Sequence, residues 1–288
     1  MRLAEVVGAL SLAADVSSGL AMEKGLRTVL VATRLAKLLG VDAEAQATVF
    51  WVSALRFVGC TAFATEEAAI AAGDDNSMRH ALVFADFAQP LDVVQRVVRG
   101  LAPEAAALER AGSIARFLLD RDIPRRYAKA HCESALFFAR SLGMSDDVAR
   151  GLDVTGERWD GRGLRGLGGN DLPMAARVAD VADVLELFAW TGGPELCRAV
   201  LEARAGATLD PTMVDTAIEE LPELLEGLGS GSVWEEYLAA EPAPLRASAD
   251  EVDRGCVALG RFSNLRVRSP ADHLVRAESS SSEMSKSL

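Results

Sequence analysis

Apolar residues recur along this chain at a helical spacing, and stretches that alternate apolar with polar positions are scarce. Over 22–39, Leu26, Val29, Leu30, Leu35, Leu38 and Leu39 form a wide stripe. The pattern predicts a helix that stops at Gly40, because glycine takes the left-handed conformation cheaply. Asp42 follows and can accept from the free amides of a next helix over 43–58. That second stretch carries Val49, Phe50, Trp51, Leu55, Phe57 and Val58 on nearly every side, the pattern of a helix inside a bundle. The same punctuation returns downstream, where a helix over 126–142 ends at Leu142-Gly143 and Ser145 caps one starting near Asp146.

Further helices are predicted at 90–100, 104–120, 174–189, 194–205, 211–227 and 231–239, with Pro103, Pro211 and Pro222 at or near first turns. The apolar run behind Met1 is broken by Glu5 and stops at Asp15, so it reads as a first helix and not as a leader peptide. The expected fold is all-α, a multi-helix bundle of roughly eight to eleven helices. It divides into a helical domain over 1–240 and a remainder over 241–288. In that remainder 241–251 reads as a linker, 252–262 as one more helix and 278–288 as a disordered serine-rich tail.

Composition narrows the function classes. Of 288 residues half are hydrophobic, enough for a sizeable core. Thirty Lys and Arg against 42 Asp and Glu give a net charge of −12, which argues against binding to nucleic-acid phosphates; no direct DNA binding is expected. Four separated cysteines without a CxxC pair point to reduced thiols rather than a disulfide or zinc framework. No uncharged apolar span is long enough for a bilayer, so the expectation is a cytoplasmic protein with no membrane contact.

Three places hold candidate chemistry. Residues 157–173, ERWDGRGLRGLGGNDLP, carry five glycines and read either as a connector or as a tight backbone path beside a site. Glu157, Arg158 and Asp160 in it can bind a ligand or can fix the loop itself, with Trp159 packed below. No strand precedes these glycines, so a dinucleotide fingerprint is rejected. The stretch 73–80, GDDNSMRH, reads as a polar loop whose Asp74, Asp75 and His80 are either solvated or a metal site. Cys60 sits at an apolar helix end with no nearby histidine and reads as a packed thiol.

The segment ERWDGRG at 157–163 resembles the HHE-x-x-DG-x-GYP signature of bacterial HD-GYP phosphodiesterases, in the HD metal-dependent phosphohydrolase superfamily. Three flanking elements resemble that family in the same order: SALRFVGC at 53–60, LPMAARVADVADVLELF at 172–188 and ATLDPTMVD at 207–215. A narrower resemblance is to the N-terminal half of actinobacterial HD-type, LuxR-associated regulators. In these a degenerate first half precedes a more intact second one, and GRFSNLRVRSP at 260–270 is similar to the start of that second half.

The resemblance implies a site held by His and Asp around a divalent metal (Mn, Fe or Mg) that activates a water. Matched position by position, the first histidine of the pattern falls near Met22-Glu23 and the HD pair on Arg56-Phe57. The HH pair falls on Thr155-Gly156, and GYP reads Gly163-Leu164-Arg165. His131 and Asp183 match retained metal ligands, while Glu157, Asp160 and Arg177 survive around the loop. Arg56 puts a guanidinium where a ligand is expected, and a fixed positive charge disfavours a divalent cation. His131 reads either as a ligand or as a hydrogen-bonded helical histidine. Asp183, on an apolar helix, needs a partner, for which Arg56 and Arg177 are the candidates.

The expectation is therefore a catalytically degenerate HD-GYP-like regulatory module without a cofactor. It would act through a protein partner, a homodimer or a small nucleotide ligand. Two alternatives stand beside it: a metal-dependent phosphohydrolase with an altered site at His131, Asp183, Glu157 and Asp160, and an inert half of a longer regulator.

Overall fold

A computed structural model describes residues 2–17, 20–61, 64–120 and 122–246, with 248 and 250. The expected helix over 252–262, the tail, His273 and the Cys256 thiol lie outside the described residues, as does the side chain of Cys60.

The fold is all-α. In chain order the helices are α1 (Leu3–Ser17), α2 (Lys24–Leu38), α3 (Ala43–Leu55), α4 (Ala64–Ile70), α5 (Asp75–Val83), α6 (Pro90–Gly100) and α7 (Ala107–Leu119). They continue with α8 (Ile123–Ser141), α9 (Asp146–Asp153), α10 (Met174–Arg204), α11 (Pro211–Glu219), α12 (Leu221–Leu225) and α13 (Val233–Ala240). A 3₁₀ segment over Arg56–Thr61 extends α3, because the backbone tightens where the sequence pattern continues as helix. The stops expected at Gly40 and Gly143 hold, with φ of 68° and 70°. Asp42 accepts from Ala45 N at 2.8 Å, and the Ser145 hydroxyl accepts from Val148 N at 3.4 Å.

Thirteen α-helices among the described residues exceed the eight to eleven expected, and two of the extra ones are α4 and α5. The polar loop read over 73–80 is in fact the N-terminus of α5. Asp74 caps it by accepting from Ser77 N at 3.0 Å, so the residues that looked like loop carboxylates begin a helix. The two helices expected over 174–189 and 194–205 follow one another without a loop along α10, and they part where expected: Gly193, at φ 78° and ψ 179°, leaves helical geometry just ahead of Pro194.

Two cores organise these helices. The larger joins α1, α2, α3, α9 and α10 to α13 with the second half of α8 around Val29, Phe50, Leu55, Phe138, Leu185 and Tyr237. The smaller holds α4 to α7 and the start of α8 around Ile70, Met78, Val97, Leu101, Phe117 and Ile123. Helix α8 therefore threads both, with Ile123 in one core and Phe138 in the other. Arg204 donates to the Phe84 carbonyl at 2.9 Å and Arg158 to that of Phe87 at 3.0 Å, tying the small lobe to α10 and to the glycine-rich loop. Residues 241–246 return to the start of α1, where Leu3 N donates to Leu245 O at 2.8 Å.

Close approach of helices makes some glycines obligatory. A Cβ on Gly151 of α9 would stand 2.6 Å from Cγ2 of the fully buried Val52 on α3. Valine is stiff at χ1 and cannot swing away. Gly151→Ala is accordingly expected to cost about 1–3 kcal/mol by overpacking, more than the roughly 1 kcal/mol gained in helix propensity. A lowered urea midpoint at unchanged slope would register it.

Candidate functional site: an ion-paired core between two helices

Helix α2 enters the bundle with Lys24 and Arg27 three residues apart, and α10 presents Asp180, Asp183 and Glu186 at the same spacing. Residues three apart on a helix share a face, so two charged ridges meet where α2 and α10 pack together. Lys24 Nζ bonds Asp183 Oδ1 and lies 3.8 Å from Glu186 Oε2. Arg27 Nε donates to Glu186 Oε1 at 2.7 Å and Nη1 donates to the Met22 carbonyl at 2.8 Å. From the end of α3, Arg56 Nη2 reaches Asp180 Oδ1 at 2.9 Å and Asp183 Oδ2 at 3.5 Å. Three cations thus face three carboxylates, and Lys24, Arg27 and Glu186 are almost wholly buried.

The protonation equilibria follow from that enclosure. Burial works against the Lys24 ammonium, but Asp183 and Glu186 more than offset it and raise its pKa. Burial likewise pushes Asp183 up, yet Lys24 and Arg56 hold it below the usual carboxylate range. Asp180 is pushed up to about 6 by burial and, despite Arg56, by the neighbouring Asp183. Burial raises Glu186 too, against the pull of Lys24 and Arg27. His131 on α8 is driven down to about 4 by burial and then by the Arg56 charge, while the Arg56 backbone hydrogen-bonds its ring. Its Nδ1 is shut off from solvent without a hydrogen-bond partner.

The bridge expected between Arg56 and Asp183 is formed, although the shorter bond of Arg56 goes to Asp180. Arg177, the other partner considered for Asp183, instead donates to Asp210 at 2.7 Å and lies over the Trp159 ring. The loop residues serve the loop. Asp160 pairs with Arg158 and accepts from Arg162 N at 3.0 Å. Glu157 Oε1 accepts from Arg165 N at 3.0 Å, and Trp159 N and Asp160 N donate to the carbonyls of Thr208 and Ala207. His80 lies in the last turn of α5, with Asp74 spent on its cap.

Sequence reading missed Lys24, Arg27, Asp180 and Glu186. The signal was available: acids at every third position of an apolar helix, and two cations so spaced in another, imply pairing, since a buried charge without a partner is costly.

The donor set does not fit a divalent metal. Asp180, Asp183 and Glu186 are each engaged by a cation, and the candidate ligand His131 has the Arg56 guanidinium as neighbour. Among the described residues no three His, Cys, Asp or Glu side chains are grouped to hold a metal ion. No helix of the described residues is long and apolar enough to cross a membrane.

No protein-family model matches the chain. It is similar to the 3′3′-cGAMP-specific phosphodiesterase 3 of Vibrio cholerae, at 23% identity over 282 residues that take in 95% of this chain and 61% of that protein. The chain thus spans about three fifths of the length of this curated relative. A crystal structure of a cyclic GMP-AMP-specific phosphodiesterase from V. cholerae superposes with a TM-score of 0.69 at 21% identity, over 95% of this chain and 62% of that one. The chain shares with that phosphodiesterase an all-α, HD-domain-like bundle.

Proposed function

We propose that this chain is a catalytically degenerate HD-type module of cyclic-dinucleotide signalling, acting through protein contacts or by sensing a small nucleotide rather than by hydrolysis. The observation that carries the reading is the occupation of Asp183 and Asp180 by Lys24 and Arg56. A metal-activated water needs carboxylates and imidazoles free to donate to the metal, and here the acids are already neutralised from within the protein. On this reading the ion pairs hold the bundle together where a metal site would stand and leave no means of polarising a phosphodiester.

A second reading, a cyclic-dinucleotide phosphodiesterase with an altered metal site, draws support from the similarity to the Vibrio enzyme along 95% of this chain. One experiment separates the two. Protein incubated with manganese, iron and zinc and then desalted is expected to retain far less than one metal per chain and to leave 3′3′-cGAMP intact. Stoichiometric metal that disappears in Asp183→Ala, together with chelator-sensitive hydrolysis, would establish the second reading instead.

A further inference from the structure

We propose that α4–α7 form a separately opening unit, latched to the rest of the protein by the strap between α5 and α6, so that the glycine-rich loop controls whether this small lobe is docked. Its core is closed on itself. Ile70, Met78, Val97, Leu101 and Phe117 pack together apart from the larger core, and the element that both cores share is α8. The change along that helix is abrupt, with Ala130 packed on the small core and Ala135 buried in the large one. Within the lobe, arginines staple one helix to the next. Arg79 of α5 pairs with Glu67 of α4, and Arg116 of α7 donates to the Ala69 carbonyl at 2.8 Å. Arg110 of α7 donates to the carbonyls of Val98 and Leu101 at the end of α6, at 2.9 and 3.2 Å. Helices joined in this way open together rather than one by one.

The lobe is also the weaker of the two units. Among the described residues three besides glycine have positive φ, and two of them are in the lobe: Ala72 at 55° and Ala102 at 47°. An L residue adopts this left-handed conformation at a cost, and both sit in or against the small core. Leu91, Leu108 and Leu119 stay 76%, 88% and 80% exposed, apolar surface that folding of the lobe does not bury.

The latch is the strap over 84–89. Asp86, itself buried, stiffens it by accepting from Ala88 N and Gln89 Nε2, both at 2.9 Å. Two arginines from the main body grip its backbone. Arg204, the last residue of α10, donates to the Phe84 carbonyl at 2.9 Å with its guanidinium over the Phe188 ring. Phe84 meets that same ring edge-on at 5.6 Å. Arg158, on the glycine-rich loop, donates through Nη1 to the Phe87 carbonyl at 3.0 Å while its Nε and Nη2 hold Asp160. One guanidinium thus spans loop and strap. Whatever draws Arg158 or Asp160 out of this arrangement loosens the lobe, which makes the loop the input and lobe docking the output.

Hydrogen exchange of the full chain under native conditions, read by mass spectrometry, tests the inference. Amides of α4–α7 are expected to exchange faster than those of α2, α3 and the first half of α10. They should also ignore Gly151→Ala, which weakens the main body alone. Arg158→Ala should speed exchange in the lobe by about three- to tenfold, the weight of one hydrogen bond. Arg204→Met should do so by roughly tenfold or more, because that guanidinium is buried, with α2 and α3 unchanged in both variants. Lobe and body amides that share one rate class and shift together in Gly151→Ala would overturn the proposal, since the molecule would then open as one. Lobe protection indifferent to Arg158→Ala would overturn it too, by removing the loop from the latch. The readouts need neither metal nor nucleotide, so their outcome is separate from that of the proposed function, on which the inference does not rest.

Discussion

Arg56→Ala is expected to lower the melting temperature by about 10 °C. Removing one member of a buried pair costs about 3–5 kcal/mol, because the partner charge is left uncompensated, and for a protein of this size each kcal/mol moves the melt by roughly 2–4 °C. Arg56 leaves behind Asp180, whose side chain is only 14% exposed, and half the support of Asp183. Replacing both Arg56 and Asp180 by leucine should recover most of the loss, since a buried pair and a packed apolar pair of similar volume are nearly equivalent. A second readout is specific to this geometry. Arg56 helps to hold His131 near pKa 4, so its removal should let the imidazole titrate at higher pH, visible by NMR in a chain with three histidines. Unchanged melting in Arg56→Ala would show that solvent, and not the guanidinium, compensates these carboxylates.

What the sequence disclosed and what it hid divide along the range of the interactions. Helix ends at Gly40 and Gly143, with caps at Asp42 and Ser145, are decided within four or five residues, and the structure places them where local chemistry requires. Helix α5 escaped because GDDNS has the composition of a loop, while its Asp74 performs the one task that starts a helix. The bridge between Arg56 and Asp183 was legible through the resemblance of two distant segments to one family pattern. Lys24 was not, because that pattern points to Met22-Glu23, whereas the ammonium that reaches Asp183 comes from the first residue of α2. Asp180 and Glu186 depend on which face α10 turns toward α2, a packing decision that spans more than 150 residues. The loop over 157–173 was recognisable as a tight path from its glycines. Its hydrogen bonds to 207 and 208 follow only once the end of α10 is in place.

Lowering the pH from 8 to 5.5 is expected to stabilise the protein, the reverse of the usual effect of acid on a carboxylate-rich fold. Asp15 on α1 is 1% exposed and accepts from Gly25 N at 3.2 and 3.3 Å. Burial lifts it from 3.8 to about 6, against that hydrogen bond and the field of Lys24. Asp180 is lifted to about 6 as well. A folded-state pKa above the unfolded value means that the native protein binds the proton more tightly. The resulting stability is fully present below the unfolded value and is lost as pH rises through about 6. Two units correspond to about 3 kcal/mol for one such group over the whole range down to its unfolded value. About 1 kcal/mol of that falls between pH 8 and 5.5, before the counter-effect of carboxylates that are depressed, such as Asp183. Asp15→Asn isolates the term, because the amide oxygen can still accept from Gly25 while the charge is gone. The variant should melt above the parent, by several degrees at pH 8 and by roughly half as much at pH 5, and close to it only below about pH 4. Urea denaturation at the two pH values measures the same difference, and an equal shift at both would assign the effect to packing instead of ionisation. Glu186, raised by burial but gripped by Lys24 and Arg27, supplies the contrast. Glu186→Gln should destabilise at pH 8, because it strands two cations where Asp15→Asn relieves an anion.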